Sequence, residues 1–315
     1  PPFHPKTSRP HRGVQASTKP AFGPASALLP GIRAMRLAYL IIAHQLPEQL
    51  AQMLYCIQHP DNLYLVIPDS KGLSGNEPAL QAVTRRHANV IIAPPRDLRW
   101  ASWSLMQARL DGIRMLLARP EPWEMLVTLS GQDFPLKSQK EIRAWMTAHR
   151  DRNIMNVVDP VATWDDPYAR VQRVRVEPPF MKRGVTLPRV RWNRWKTHLG
   201  HSRYVGGRPY MALSRAFCQH LIESPQLPLW VKTLRHGYRP EEVLVHSFIS
   251  NSPFADSMHN HMMHDEDWSG GGSHPRVLTM ADQARLLKSE HLFARKFDNR
   301  VDDRVLNLLQ DRVLG

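Results

Sequence analysis

The segment LAYLIIA (residues 37–43) decides the fold class, because it consists of seven consecutive apolar residues with no charge. It is far shorter than the roughly 20 residues that a membrane-spanning helix needs. An uninterrupted apolar run of this length is typical of a strand buried on both faces of a parallel sheet. The runs LYLVI (63–67), NVIIA (89–93) and EMLVTL (124–129) predict three further strands of the same sheet.

Helices are predicted between these strands. Pro47 lies where the first helix begins, a position that proline favours because it needs no amide donor. Residues 102–118 carry Trp103, Met106 and Leu110 at spacings of three and four, as expected for one buried helix face. Alternating strands and helices predict an α/β fold, with a mainly parallel sheet and helices on both of its faces.

The loops after three of the strands are the candidate binding site, because ligands of open α/β sheets bind beyond the carboxyl ends of the strands. These loops cover residues 43–45, 68–71 and 130–134. The second half of the chain is less regular, and residues 160–205 are polar, basic and rich in proline. That segment is predicted to form a long excursion over the sheet.

The net charge of +14 is concentrated in two segments. Residues 1–34 carry five bases, no acid and seven of the 27 prolines, which predicts a disordered basic extension before one domain over 35–315. Residues 170–203 carry ten bases and one acid. Because the remaining segments together are neutral, a nucleic-acid partner is not expected. The basic segment 170–203 is instead predicted to attract an acidic glycan or an anionic membrane surface.

A cluster of possible metal ligands lies near the end of the chain. It contains His259, His261 and His264, followed by Asp265 and Asp267 in an Asp-x-Asp arrangement. Histidine and carboxylate are common metal ligands. The three histidines do not share one helical face, however, and we expect no metal site here.

Seven peptides in a fixed order carry a family resemblance. They are AYLIIAH (38–44), LVIPDSK (65–71), RWASWSLMQARL (99–110), LSGQDFPLKS (129–138), GGRPYMALSR (206–215), RPEEVLVHSFISNSPF (239–254) and HLFARKFD (291–298). The series resembles the core 2/I-branching β-1,6-N-acetylglucosaminyltransferase family, which includes the peptide O-xylosyltransferases. The resemblance implies a GT-A-like glycosyltransferase fold, a UDP-sugar donor, inversion at the anomeric carbon and no metal or other cofactor.

The resemblance also implies which residues bind the donor. Arg276 and Lys296 fall at the family positions that hold the diphosphate, where cations stabilise the charge of the departing UDP. Asp69 falls at the position of a uridine-contacting aspartate, and His44 ends the first strand at the same rim. Asp133 ends the fourth strand and is either a further donor residue or a carboxylate that stabilises the turn.

The catalytic base of an inverting transferase should be a carboxylate, because the acceptor hydroxyl must lose its proton during attack. Glu242 resembles the family base, and Glu241 is the alternative because this chain has Pro-Glu-Glu where the family has Pro-Asp-Glu. Trp268 matches a family tryptophan near the acceptor sugar, and an indole packs well on the apolar face of a pyranose. Tyr210 is expected on the acceptor side.

These residues predict an enzyme that transfers a sugar, N-acetylglucosamine in the first instance, from UDP to a hydroxyl of a glycan or polysaccharide. Transfer of xylose to a protein serine is the alternative within the family. A non-catalytic protein that binds polyanions or carbohydrates is the alternative outside it. Animal members carry a Golgi membrane anchor and several disulfides, whereas this sequence has two cysteines. A bacterial protein of the cytosol, attached peripherally to the inner face of the membrane, is therefore expected.

Overall fold

The computed structural model describes residues 33–158, 175–176, 185–186, 203–271 and 274–315. All but the last two residues of the predicted extension 1–34 lie outside these ranges. The basic segment 170–203 also lies outside them, except for residues 175–176, 185–186 and 203.

A seven-stranded sheet forms the centre of the domain. Its order is β10 (Met258–Asn260), β6 (Asn153–Met155), β9 (Met211–Ser214), β4 (Met125–Ser130), β1 (Leu37–Ala43), β2 (Leu63–Pro68) and β3 (Val90–Ile92). The predicted strands make up its parallel half, in which β1 pairs with both β2 and β4, and β2 pairs with β3. The carboxyl ends of β1, β2 and β4 therefore meet at one edge of the sheet.

The other half of this sheet was not predicted. Strand β9 (Met211–Ser214) runs antiparallel between β4 and β6 (Asn153–Met155). Strand β10 (Met258–Asn260) lies parallel to β6 at the edge. The sheet is thus mixed but mainly parallel, which confirms the predicted fold class.

A three-stranded sheet lies beside the large one and has β12 (Phe293–Arg295) at its centre. This strand is parallel to β11 (His264–Glu266) and antiparallel to β5 (Asp133–Pro135). In this register Arg295 pairs with Asp133 on one side and Glu266 on the other. A two-stranded ribbon, β7 Arg175–Val176 and β8 Val185–Thr186, completes the strands of the described residues.

Helices cover both faces of the large sheet, as predicted. Alternate side chains of β1 enter two separate cores, with Leu37 and Tyr39 in one and Ala38 and Leu40 in the other. The first core contains residues of α1 Pro47–Cys56, α2 Pro78–Arg86, α4 Gln139–Ala148, α8 Gln283–Lys288 and α9 Arg304–Leu314. The second contains residues of α3 Trp103–Leu117, α5 Arg215–Glu223, α6 Leu227–Leu234 and α7 Leu244–Ser250. Within the described ranges, no helix combines the length and apolarity needed to cross a bilayer.

Side-chain caps explain where two of the helices begin. The Ser102 hydroxyl accepts a hydrogen bond from the amide of Ser104 at the start of α3. At the start of α4, Ser138 and Glu141 form a reciprocal capping box. Such caps satisfy amide donors that have no partner inside the helix, which stabilises it by about 1 kcal/mol each.

Candidate active site

A cleft of about 820 Å³ opens at the carboxyl ends of β1, β2 and β4. Ile42, His44, Asp69 and Ser130 line it from these strand ends. This is the place where ligands of open α/β sheets bind. The structure therefore brings the predicted loops together, and the remaining walls come from segments that are distant in the sequence.

Asp69 and His44 form the rim that the sequence predicted for the nucleoside. Asp69 is 6% exposed, and its Oδ1 accepts hydrogen bonds from the amides of Lys71 and Leu98. The Lys71 ammonium lies 2.7 Å from the same oxygen and 2.8 Å from Oδ1 of Asp97. Burial lowers the pKa of His44, and the nearby cation Lys296 lowers it further. His44 is therefore neutral near pH 7, when it can both donate and accept a hydrogen bond.

Two consecutive cations, Arg295 and Lys296, form another part of the cleft wall. Burial lowers the pKa of Lys296, and the adjacent Arg295 adds to this effect. Among the residues that the structure describes, no carboxylate lies within ion-pair distance of the Lys296 ammonium. A partly buried cation beside a like charge favours the binding of an anion.

Asp133 supports Arg295 from beneath and does not line the cleft. The carboxylate is fully buried and lies 3.5 Å from Nε of Arg295 and 3.3 Å from Nε2 of His264. It also accepts hydrogen bonds of 2.7 Å and 2.8 Å from the amide and hydroxyl of Ser130. Burial alone raises the pKa of Asp133, but Arg295 and His264 hold it below its usual range. This arrangement therefore supports a structural role for Asp133, which holds Arg295 and Ser130, and not direct contact with the sugar donor.

Arg276 lies outside the cleft lining, although its neighbour Pro275 belongs to it. The Arg276 guanidinium is held by two carboxylates, with Nε 3.1 Å from Asp267 and Nη1 2.9 Å from Asp282. These hydrogen bonds raise the pKa of Arg276, with the larger effect from Asp282. In this conformation Asp267 and Asp282 already compensate the positive charge of Arg276, which the resemblance predicts to bind the diphosphate.

The two predicted carboxylates lie together on a 3-10 turn, Pro240–Glu242, and both line the cleft. Glu241 and Glu242 are each 7% exposed. The amide of Gly207 donates a 3.0 Å hydrogen bond to the carbonyl of Glu242, which fixes the turn against the neighbouring loop. Nη1 of Arg239 lies 3.4 Å from Oε1 of Glu242.

Arg109, on helix α3, contacts the backbone of the other glutamate. Its Nη1 lies 3.5 Å from the carbonyl oxygen of Glu241, and the residue is 6% exposed. Burial lowers the pKa of Arg109 to about 10, although Glu241 opposes this shift. Each glutamate of the turn therefore has a different arginine beside it.

Trp268 and Tyr210, predicted on the acceptor side, both line the cleft. The Trp268 indole donates a 2.7 Å hydrogen bond to Oε2 of Glu266. The guanidinium of Arg208 lies 4.1 Å from the indole centre and 3.3 Å from the same glutamate oxygen. One face of the indole is thus covered by a cation, so a sugar can pack only on the opposite face. Tyr210 lies under the guanidinium of Arg295, at 4.3 Å.

The cluster considered as a metal site is dispersed in the structure. Asp265 forms an ion pair with Arg285, and Asp267 one with Arg276. His259 and His261 lie at the sheet edge with their ring centres 6.0 Å apart. In the described part of the chain, no three His, Cys, Asp or Glu side chains gather in a way that could hold a metal ion.

Several cations of the cleft were not assigned to the site from the sequence. They are Lys71, Arg99, Arg109, Arg175, Arg208, Arg239 and Arg295. Two signals were available, since Arg295 precedes Lys296 and Arg239 precedes the Pro-Glu-Glu turn. Arg109 gave no such signal, because an isolated arginine on an amphipathic helix normally points to solvent.

Curated relatives of this chain are glycosyltransferases. The beta-1,3-galactosyl-O-glycosyl-glycoprotein beta-1,6-N-acetylglucosaminyltransferase 3 of Rattus norvegicus is 26% identical over 313 residues, which span 87% of this chain and 67% of that protein. The Homo sapiens protein of the same name is 25% identical over 321 residues, with the same shares. Among solved structures, galactosyltransferase LgtC in complex with donor and acceptor sugar analogs is 10% identical, with a TM-score of 0.40 over 88% of this chain and 96% of LgtC.

The family assignment rests on the match of the chain to a family profile. Residues 37–291 match the profile of the Core-2/I-Branching enzyme. The matched residues include all four predicted strands, the Pro-Glu-Glu turn, strand β11 (His264–Glu266) and Trp268. Because it covers most of the chain, this protein belongs to the core-2/I-branching enzyme family of glycosyltransferases.

Proposed function

We propose that this protein is an inverting transferase that moves N-acetylglucosamine from UDP-N-acetylglucosamine to a hydroxyl of a glycan or polysaccharide. One observation carries the proposal. A single cleft at the strand ends combines two buried carboxylates, Glu241 and Glu242, with the cation pair Arg295 and Lys296. Such a reaction needs a base for the acceptor and positive charge for the departing diphosphate. The name of the curated relatives supports the choice of sugar.

Glu242 acts as the base in this proposal. Its carboxylate takes the proton of the acceptor hydroxyl while the oxygen attacks the anomeric carbon of the donor. The bond from that carbon to the diphosphate oxygen breaks with its electron pair, and UDP leaves with the added negative charge. Attack from the face opposite to the leaving group inverts the anomeric centre. The fixed 3-10 turn supports this role, because a base acts efficiently only when it is held in reach of the proton.

Lys296 binds the diphosphate in this proposal, with Arg295 beside it. A side-chain cation supplies the electrostatic stabilisation for which other transferases use a metal ion. Asp69 and His44 contact the nucleoside from the rim. Arg276 stays a prediction for the donor site, and it would have to leave at least one of its two carboxylate partners to reach a phosphate.

Trp268 and Tyr210 bind the acceptor in this proposal. The face of the Trp268 indole opposite Arg208 provides an apolar platform for a pyranose ring. Arg208 holds the indole on its other face and, with Glu266, keeps the ring from rotating.

A donor screen tests the proposal. The purified protein is incubated with UDP-N-acetylglucosamine or UDP-xylose in the presence of a glycan mixture or of serine-containing peptides, and products are identified by mass spectrometry. We expect a product larger by one N-acetylhexosamine, formed about 10²–10⁴-fold more slowly by the Glu242→Gln variant. A pentose increment would instead favour the O-xylosyltransferase alternative. Glycan binding without UDP release from either donor would favour the non-catalytic alternative.

A further inference from the structure

The residue before the carboxylate turn has an unusual backbone conformation. Arg239 has a φ of 53°, in the left-handed region that residues other than glycine rarely adopt. Its amide donates a 3.1 Å hydrogen bond to the carbonyl of Ala101, which has a φ of 59°. Two left-handed residues on facing segments thus join the turn to the segment before α3. Left-handed residues of this kind are often found at functional sites, where the surrounding structure stabilises them.

The Arg239 side chain is held between aromatic rings and a carboxylate. Its guanidinium carbon lies 4.7 Å from the ring centre of Trp100 and 5.4 Å from that of Tyr238. The side chain is 13% exposed, and Nη1 lies 3.4 Å from Oε1 of Glu242. Cation–π contacts of this kind favour one position of the guanidinium. Its charge therefore faces Glu242 from a fixed direction.

We propose that Arg239 is a positioning residue that keeps Glu242 ionised and directed at the acceptor hydroxyl, an inference that rests on the proposed function. A base must be unprotonated before it can accept a proton, and a cation within about 4–6 Å favours the ionised carboxylate. The left-handed backbone places the side chain of Arg239 back over its own turn. A residue with ordinary φ would direct the chain, and with it the carboxylate, along a different path.

Other charged or titratable groups line the same cleft as Glu242 or, like His246, lie buried behind its turn, and all of them are retained when only Arg239 is replaced. They come from the same turn, from α3 and α7, and from the other cleft walls: Glu241, Arg109, His246, Arg175, Arg208, Glu266 and His274. A change in the pH profile on replacing Arg239 therefore reports the loss of this one charge, which also lowers the pKa of His274 beside the larger effects of burial and Lys296.

The experiment compares Arg239→Gln, Arg239→Lys and Arg235→Gln. Arg235 is exposed, lies four residues away and does not line the cleft, so it is the matched control. The rate of UDP release from UDP-N-acetylglucosamine, with the glycan mixture of the donor screen as the acceptor, is measured across pH 4–9. Binding of UDP by calorimetry and thermal unfolding show that each variant is folded.

We expect the acidic limb of the kcat/KM profile to move up by about one pH unit in Arg239→Gln, because the carboxylate loses its cation. The limb should stay close to wild type in Arg239→Lys, which keeps the charge, and in the control. The value of kcat should nevertheless fall in Arg239→Lys, because an ammonium does not pack on the two rings as a planar guanidinium does.

Two results would overturn this role. One is an unmoved limb in an Arg239→Gln variant that binds UDP as tightly as wild type. The other, which applies even if Arg239→Gln fails to fold, is an unchanged kcat in Arg239→Lys. Absence of UDP release by the wild-type protein is a different outcome, since it would overturn the proposed function and with it the base that Arg239 positions.

Discussion

Replacement of Lys296 by methionine removes one cation from the cleft and keeps a side chain of similar length. The ammonium has no carboxylate partner among the described residues, so the variant leaves no buried acid uncompensated. At a contact distance of about 4 Å and an effective dielectric constant of about 20, its attraction to one phosphate charge is about 4 kcal/mol. Desolvation of both groups offsets part of this attraction. We expect a net loss of about 3 kcal/mol, or about 100-fold in kcat/KM.

Calorimetry with UDP and with uridine separates the diphosphate from the nucleoside. In Lys296→Met the affinity for UDP should fall, while the affinity for uridine, which has no phosphate, should be unchanged. Lys288→Met is the matched control, because Lys288 is an exposed lysine at the end of α8 outside the cleft. Equal affinities for UDP in wild type and Lys296→Met would refute the assignment of Lys296 to the diphosphate.

Three further predictions concern the metal, a close backbone approach and acid stability. Initial rates should persist in excess EDTA, and their loss with recovery on adding Mn²⁺ would contradict a cation site made of side chains. In Gly207→Ala the new Cβ would lie 1.8 Å from the carbonyl oxygen of Asn156, so the loop that bonds to Glu242 must shift and kcat should fall by about tenfold or more. Gly270→Ala is the control and should match wild type, because its Cβ would have no neighbour closer than 3.8 Å. Burial and neighbouring histidines lower the pKa of His261 to about 4, so the unfolded chain binds the proton more readily and the free energy of unfolding falls as the pH drops below about 6.5. At pH 5 thermal unfolding should show that His261→Gln loses about 2 kcal/mol less of this free energy than wild type does. An equal loss in the two proteins would contradict the prediction.

The parallel half of the fold could be predicted because its segments carry their signal locally. Strand β1 (37–43) is apolar throughout, and α3 repeats apolar residues every three or four positions. Helix α2 (78–86) was missed because Leu80 is its only buried residue and Val83 the only other apolar residue packed on the core, so its apolar stripe is short. Strands β5, β11 and β12 have three residues each, too few for an alternating pattern to appear.

The membership of the cleft was predictable only in part. Asp69, Lys296 and the two glutamates line it as expected, because the resemblance aligned them individually. The position of Asp133 beneath Arg295 depends on a pairing between strands that are 160 residues apart in the sequence. The pairing of Arg276 with two acids likewise depends on how its loop folds back. Such long-range contacts leave no local pattern.

The most direct test of the central claim is the turnover of Glu242→Gln beside that of Glu241→Gln. Glutamine keeps the shape of the side chain but cannot accept the acceptor's proton. If Glu242 is the base of a UDP-sugar transferase, UDP release by Glu242→Gln should fall by about 10²–10⁴-fold while the affinity for UDP stays within about twofold of wild type. Glu241→Gln should retain most of its activity. Full activity of Glu242→Gln, with or without loss of activity in Glu241→Gln, would contradict the account.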